Sequence, residues 1–159
     1  MDRALIVLTF VSALGAGLIA GVFFAFSAFV MKALARLPAA SGVAAMQSIN
    51  VVVINPLFLG VFLGTAAAGV AVTIAALVRW ERPGAACSLI GGVLYVVGTF
   101  GVTVACNVPL NDALAEVAPD DPDVARHWRN YVTRWTAWNH LRTATALAAA
   151  GAFVLALRR

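Results

Sequence analysis

Long uncharged stretches separated by short polar segments set the layout of this chain. No charged residue occurs from Ala4 to Met31, from Leu37 to Val78 or from Pro83 to Asn111, and a fourth apolar segment runs from Trp135 to Leu157. Each matches or exceeds the roughly 20 residues that a helix needs to cross a bilayer core. The pattern predicts an all-α membrane protein, an antiparallel bundle of four transmembrane helices in one domain over residues 1–159, with spans at about 4–31, 56–78, 84–106 and 135–157.

Breaks in the pattern supply the rest of the topology. The first stretch is 28 residues long, whereas the apolar region of a signal peptide is roughly 7 to 15, so it is expected to stay as a spanning helix. Val43 to Asn55 reads as a short amphipathic helix before span two, with Gln47 and Asn50 in apolar surroundings, and Asn55-Pro56 marks a break or a new helix start. Arg79 to Gly84 is long enough only for a tight turn, which makes spans two and three antiparallel neighbours. Asp112 to Asp123 is an acidic excursion, and helix is expected to resume near Pro122 and extend span four at its N-terminal side. Small residues at Ala13, Gly17, Gly21 and Ala25, at Gly60 and Gly64, and at Gly91, Gly92, Gly98 and Gly101 allow helices to approach closely, within one bundle or between copies in a homo-oligomer.

Composition narrows the function classes. The chain is 62% hydrophobic and 11% charged, against roughly 25% charged for a soluble domain. Its net charge of +4 comes from ten Arg and one Lys scattered near helix ends, with no run that would grip nucleic acid. Arg3, Arg79, Arg82, Arg158 and Arg159 lie on the side of the termini, and Lys32, Arg36, Arg126, Arg129 and Arg134 on the other, so the cation count is tied. Cytoplasmic termini are expected because the first five crowd the span ends while the acids gather in the opposite loop. Cys87 and Cys106 are 19 residues apart on one helix, about 28 Å along its axis, too far to pair with each other.

Against this apolar background the polar groups stand out. Arg142 lies within the last span, where a guanidinium costs at least a few kcal/mol and is read by default as a functional-site candidate, although it can also snorkel or cap carbonyls. Trp128, Tyr131, Trp135, Trp138 and Arg142 are spaced three, four, three and four, one stripe of a helix with Asn139 at its edge. His140 lies well round the helix, on an arc with Thr136 and Thr143. Counted from the helix ends, the Phe23 to Phe29 cluster with Phe24 and Ser27, Asn55, Asn107 and the Trp135 to Arg142 run all fall near the membrane face opposite the termini, roofed by Gln47, Asn50, Asn111, Trp128 and Tyr131. A pocket between the helices at that face is the expected ligand site. The aromatics can equally form an interfacial belt, and the asparagines can cap helices beside their prolines.

The motifs Phe23-Phe24-Ala25-Phe26-Ser27, Met46-Gln47-x-Ile49-Asn50 with Asn55-Pro56, Asn107-x-Pro109-Leu110-Asn111, and Trp128-x-x-Tyr131 followed by Trp135-Thr136-x-Trp138-Asn139-His140-Leu141-Arg142 occur in that order. Together they resemble the anthrone oxygenase-like integral membrane family of small four-helix proteins. The resemblance implies oxidation of an anthrone-like apolar aromatic substrate to a quinone by O2, without a bound cofactor. On that reading His140 is the general base, and Arg142 and Asn139, with Asn107, stabilise the enolate oxygen. Trp135, Trp138, Phe24 and Tyr131 stack on the rings. The alternative is a non-catalytic binding or carrier subunit for a quinone, lipid, pigment or haem. No metal shared by both histidines is expected, since His127 and His140 are 13 residues apart, about 20 Å on one helix, and haem or a metal on a single histidine is the minor alternative.

Overall fold

Helix boundaries follow the caps and turns of the chain in the computed structural model, which describes residues 3–158. Among these residues every regular element is helical: α1 (Arg3–Leu34), α2 (Ala39–Val52), α3 (Pro56–Val78), α4 (Ala85–Ala115) and α5 (Val124–Leu157). Helices α1, α3, α4 and α5 are long and apolar enough to cross a membrane, and α2 is a shorter apolar helix between the first two. Asn55 starts α3 as an N-cap, its Oδ1 accepting the Phe58 amide at 3.0 Å, with Pro56 in the first turn where its missing N–H costs nothing. That cap ends α2 at Val52 rather than at Asn55.

Each spanning helix is a run of neighbours in the ring. Helix α5 packs on α1 and α4, and α3 closes the ring between them on the other side. The turn Arg79–Gly84 brings α3 and α4 together as expected from its length. Helix α5 starts at Val124, two residues after Pro122, because the Asp121 carboxylate accepts the Asp123 amide and holds the chain in a turn there.

Helix α4 runs past Asn107, where its span was expected to end, to Ala115. Pro109 lies at the start of the α-helical stretch that follows the π turns, where the i→i−4 ladder is already interrupted. Just before it the helix widens into π turns at Leu94–Gly101 and Thr103–Asn107, and α1 does the same at Phe26–Val30. Such turns are rare and recur at functional sites.

Two apolar clusters hold the bundle. One lies along its axis and includes Ala16, Ile19, Phe23, Phe62, Tyr95, Ala149 and Phe153. The other lies under the end opposite the termini, where α2 rests on the extended parts of α4 and α5 through Val43, Met46, Leu114, Trp128 and Tyr131. Gly42 permits this contact, because a Cβ there would come within 2.6 Å of the Trp128 ring. Outward positions such as Leu14, Leu18, Leu57, Val78 and Leu147 are exposed and apolar, the exterior that a lipid solvent favours.

The glycines divide by use. Gly91 and Gly98 touch Phe153 and Thr145 of α5, and Gly92 abuts Gly69 of α3. Gly17, Gly21, Gly60 and Gly64, whose spacing suggested close packing, face open space instead.

Candidate functional site

The last helix places a single buried stripe toward the bundle: Trp128, Tyr131, Trp135, Asn139, Arg142, Ala146, Ala149, Phe153 and Ala156. At 100° per residue Asn139 and Trp138 lie on opposite sides of the mean direction of this stripe, about equally far from it. Contact with α1 decides between them: Asn139 is fully buried, while Trp138 is 38% exposed on the flank.

Arg142 is 4% exposed and sits between rings, its Cζ 4.1 Å from the Phe23 centroid and 5.1 Å from that of Trp135. Its Nη1 donates to Thr103 Oγ1 at 3.2 Å and its Nη2 to Asn139 Oδ1 at 2.7 Å, while Nε is buried without a partner. Among the described residues no carboxylate pairs with it. Asn139 is fixed in turn, its Nδ2 donating to the Phe23 carbonyl and to Ser27 Oγ, each at 2.7 Å. This locks α5 to α1 where α1 widens into its π turn.

A cavity of about 260 Å3 lies beside the guanidinium, enclosed by all five helices. Its walls are Phe23, Phe26, Met46, Ile49, Phe58, Phe62 and Phe100, and Trp135, Thr103, Asn111, Asn50 and Arg142 form its polar end. Phe58 and Phe62 stack at 5.8 Å, and Phe26 packs on Trp135 at 5.6 Å. The volume falls just under the roughly 300 Å3 at which small-molecule pockets begin, which suits a compact planar ligand. Ile54, Leu63, Val104 and Val108 line the cavity and are also exposed, so it opens sideways between α3 and α4.

Three donors lie around the polar end. Asn111 Oδ1 accepts both the Tyr131 hydroxyl and the Trp135 indole N–H at 2.9 Å, which fixes the orientation of the amide and leaves Nδ2 for the cavity. Asn50 Nδ2 is buried without a partner, as is Arg142 Nε. The cluster can therefore receive an oxygen atom, and a negatively charged one best, because a buried cation lacking a counterion is costly.

The other expected site residues divide between support and surface. Asn107 Nδ2 donates to the Trp135 carbonyl at 3.2 Å and ties α4 to α5 without lining the cavity. Gln47 Nε2 donates to the carbonyls of Leu114 and Val117, capping the end of α4, and Trp128 stacks on Tyr131 in the roof. Asn55 is spent as the α3 cap.

Three placements correct the sequence reading. Phe24 is 61% exposed, a turn away from the inward Phe23. Trp138 points outward, and His140 is exposed in an outer groove with Ser27, Lys32 and Thr136. His140 thus sits on the far side of α5 from the cavity, and the geometry gives it no contact with a ligand there. Conversely Thr103, Phe58, Phe62 and Phe100 carry no signal in the sequence reading, and Phe23 and Phe26 enter it only as members of the Phe23 to Phe29 cluster. The buried series Ser12, Ala16, Ile19, Phe23 and Ser27, spaced four, three, four and four, marks the inner face of α1 and is the signal that separates Phe23 from Phe24.

Comparison with known proteins agrees with the family resemblance. A family profile described as anthrone oxygenase matches residues 52–152, more than half of the 159-residue chain. The matched stretch contains Thr103, Asn111, Trp135 and Arg142, while Phe23, Phe26 and Asn50 precede it. No curated protein and no solved structure gives a significant match. The chain belongs to the anthrone oxygenase family.

Proposed function

We propose that the protein is a membrane-embedded oxygenase that oxidises an anthrone-like, apolar aromatic substrate with O2 in the cavity beside Arg142. The observation that carries this reading is the unpaired buried guanidinium at one end of an aromatic chamber. The lateral opening between α3 and α4 suits a substrate dissolved in the bilayer, with the rings of Phe58, Phe62 and Phe100 receiving its planar body.

An anthrone carries a CH2 group between two aryl rings, conjugated to a carbonyl across the central ring. Losing one of these protons gives an enolate whose charge rests largely on the carbonyl oxygen. Arg142, Asn111 and Asn50 line the end that would receive that oxygen, so they favour the enolate in a low-dielectric site. The electron-rich carbon reduces O2 and bonds to it, giving a hydroperoxide once a proton returns. Loss of water, one oxygen leaving with the second CH proton, yields the quinone carbonyl. The balance is one anthrone and one O2 to one anthraquinone and one water.

Among the described residues no imidazole or carboxylate lines the cavity. The proton therefore leaves through the mouth, and the chain accelerates the reaction by stabilising charge rather than by supplying a base. The same observation favours a second reading, a carrier that holds a quinone or a related pigment in this chamber without turning it over. Oxygen uptake by the purified protein in lipid nanodiscs with anthrone distinguishes them. Uptake matched one to one by anthraquinone is expected, whereas a co-purifying aromatic ligand with no protein-dependent uptake would establish the carrier.

A further inference from the structure

A second cavity, of about 580 Å3, lies at the opposite end of the bundle, where the termini are. Its floor is apolar, from Leu5, Val72 and Ala76, and its rim is the turn that leads into α4. Gly84 makes the corner at φ 85°, with the Ala156 carbonyl of α5 so close that a Cβ would come within 2.7 Å of it. The corner turns the N-terminus of the 31-residue α4 toward the cavity, which Ala85 and Ser88 line. The Ala85 amide donates to the Arg82 carbonyl at 3.2 Å, and the helix end carries a partial positive charge.

Ser88, one turn in, gives this end a specific donor. It is 6% exposed, lines the cavity, and its hydroxyl makes no hydrogen bond within the described residues. Arg82 adds a guanidinium on the rim, and Arg79 lines the same space. Glu81, in the same turn, is not part of the lining.

We propose that this cavity binds the phosphate of an anionic lipid headgroup, with Arg82 and the Ser88 hydroxyl as its ligands and the positive end of the α4 dipole beside it. A guanidinium and a helix N-terminus are complementary to phosphate. The apolar floor separates a lipid from a free anion, because it offers contact to the glycerol and acyl portions that inorganic phosphate lacks. The site lies at the far end of α5 from the Arg142 chamber and stands whether or not that chamber is catalytic.

The test uses the full chain in detergent, titrated with phosphatidylglycerol or phosphatidylcholine and followed by native mass spectrometry. One phosphatidylglycerol is expected to bind, phosphatidylcholine more weakly, and the Arg82→Gln/Ser88→Ala double variant to lose about tenfold or more in affinity. Arg82 is an exposed turn residue, so unchanged thermal melting of Arg82→Gln alone checks that the fold persists. Inorganic phosphate, added in competition, should leave the lipid bound. Displacement at submillimolar phosphate would assign the site to the free anion and overturn the lipid, and equal lipid binding by wild type and double variant would overturn the site itself.

Discussion

The two halves of the bundle are held together by opposite means. Toward the termini α5 presents Ala146, Ala149, Phe153 and Ala156, all fully buried, against a neighbour whose Gly91 and Gly98 let the helices approach closely. Toward the other end the contacts are rings and amides, the helices widen into π turns, and a void of about 260 Å3 remains with unpartnered donors at its edge. Close packing along the α4–α5 seam gives cohesion, whereas unsatisfied groups around a void, beside Arg142 or at the Ser88 end, give a binding site. Substitutions in the two halves should therefore separate stability from ligand chemistry.

The largest effect is expected at Arg142. Arg142→Met keeps most of the side-chain length and removes the donor aimed at the substrate oxygen, so anthrone turnover should fall by about 10²- to 10³-fold. Stability should hold or rise slightly, since an uncompensated buried charge is replaced by an apolar group. Oxygen uptake and thermal denaturation measured on the same preparation check both halves of the statement. A variant that unfolds, or one that turns over normally, would show that the guanidinium is structural.

The reciprocal substitution is Gly92→Val. A Cβ at Gly92 would lie 2.7 Å from the Gly69 carbonyl, so α3 and α4 must separate. Destabilisation by about 1–3 kcal/mol is expected in denaturant titrations of the micellar protein. Turnover per folded molecule should remain near wild type, because the contact lies on the α3–α4 seam away from the cavity lining.

How far the sequence anticipates these halves depends on the kind of signal each carries. Hydropathy locates the four long helices, and the Asn55-Pro56 and Arg79–Gly84 punctuation orders them, because a cap or a turn is encoded by adjacent residues. Burial of Arg142 and Trp135 is likewise legible, since a cation in an apolar run has few places to go. Which residue of a neighbouring pair faces inward is less so. Phe23 and Phe24, or Trp138 and Asn139, differ by 100° of rotation, and that rotation is set by contacts with other helices. The widened turns shift it further, and nothing in local composition announces them. Thr103 escapes notice for the same reason, being an ordinary spanning residue until α4 and α5 pack.

A smaller effect is expected at Asn139, where the two roles meet. Asn139→Asp would set a carboxylate where Oδ1 now accepts from Arg142 at 2.7 Å, giving the cation a permanent partner. A phenolic anthraquinone, titrated by its quenching of tryptophan fluorescence, should bind about tenfold more weakly, as the pair competes with the ligand oxygen. Unchanged affinity would mean that the ligand does not meet the guanidinium.

The smallest effect, and the sharpest check on orientation, is His140→Ala. The imidazole is one residue from Asn139 and two from Arg142 yet faces the outer groove with Lys32 and Thr136, across the helix from the cavity. Turnover should stay within about twofold of wild type, well short of the roughly 10²-fold or greater loss that removing a general base brings. Stability should also change little, as substitutions at exposed positions without a special partner usually do. A hundredfold fall in oxygen uptake with intact folding would place the imidazole at the reacting carbon. That outcome would require α5 to rotate by more than a third of a turn from the orientation that Asn139 fixes through Phe23 and Ser27.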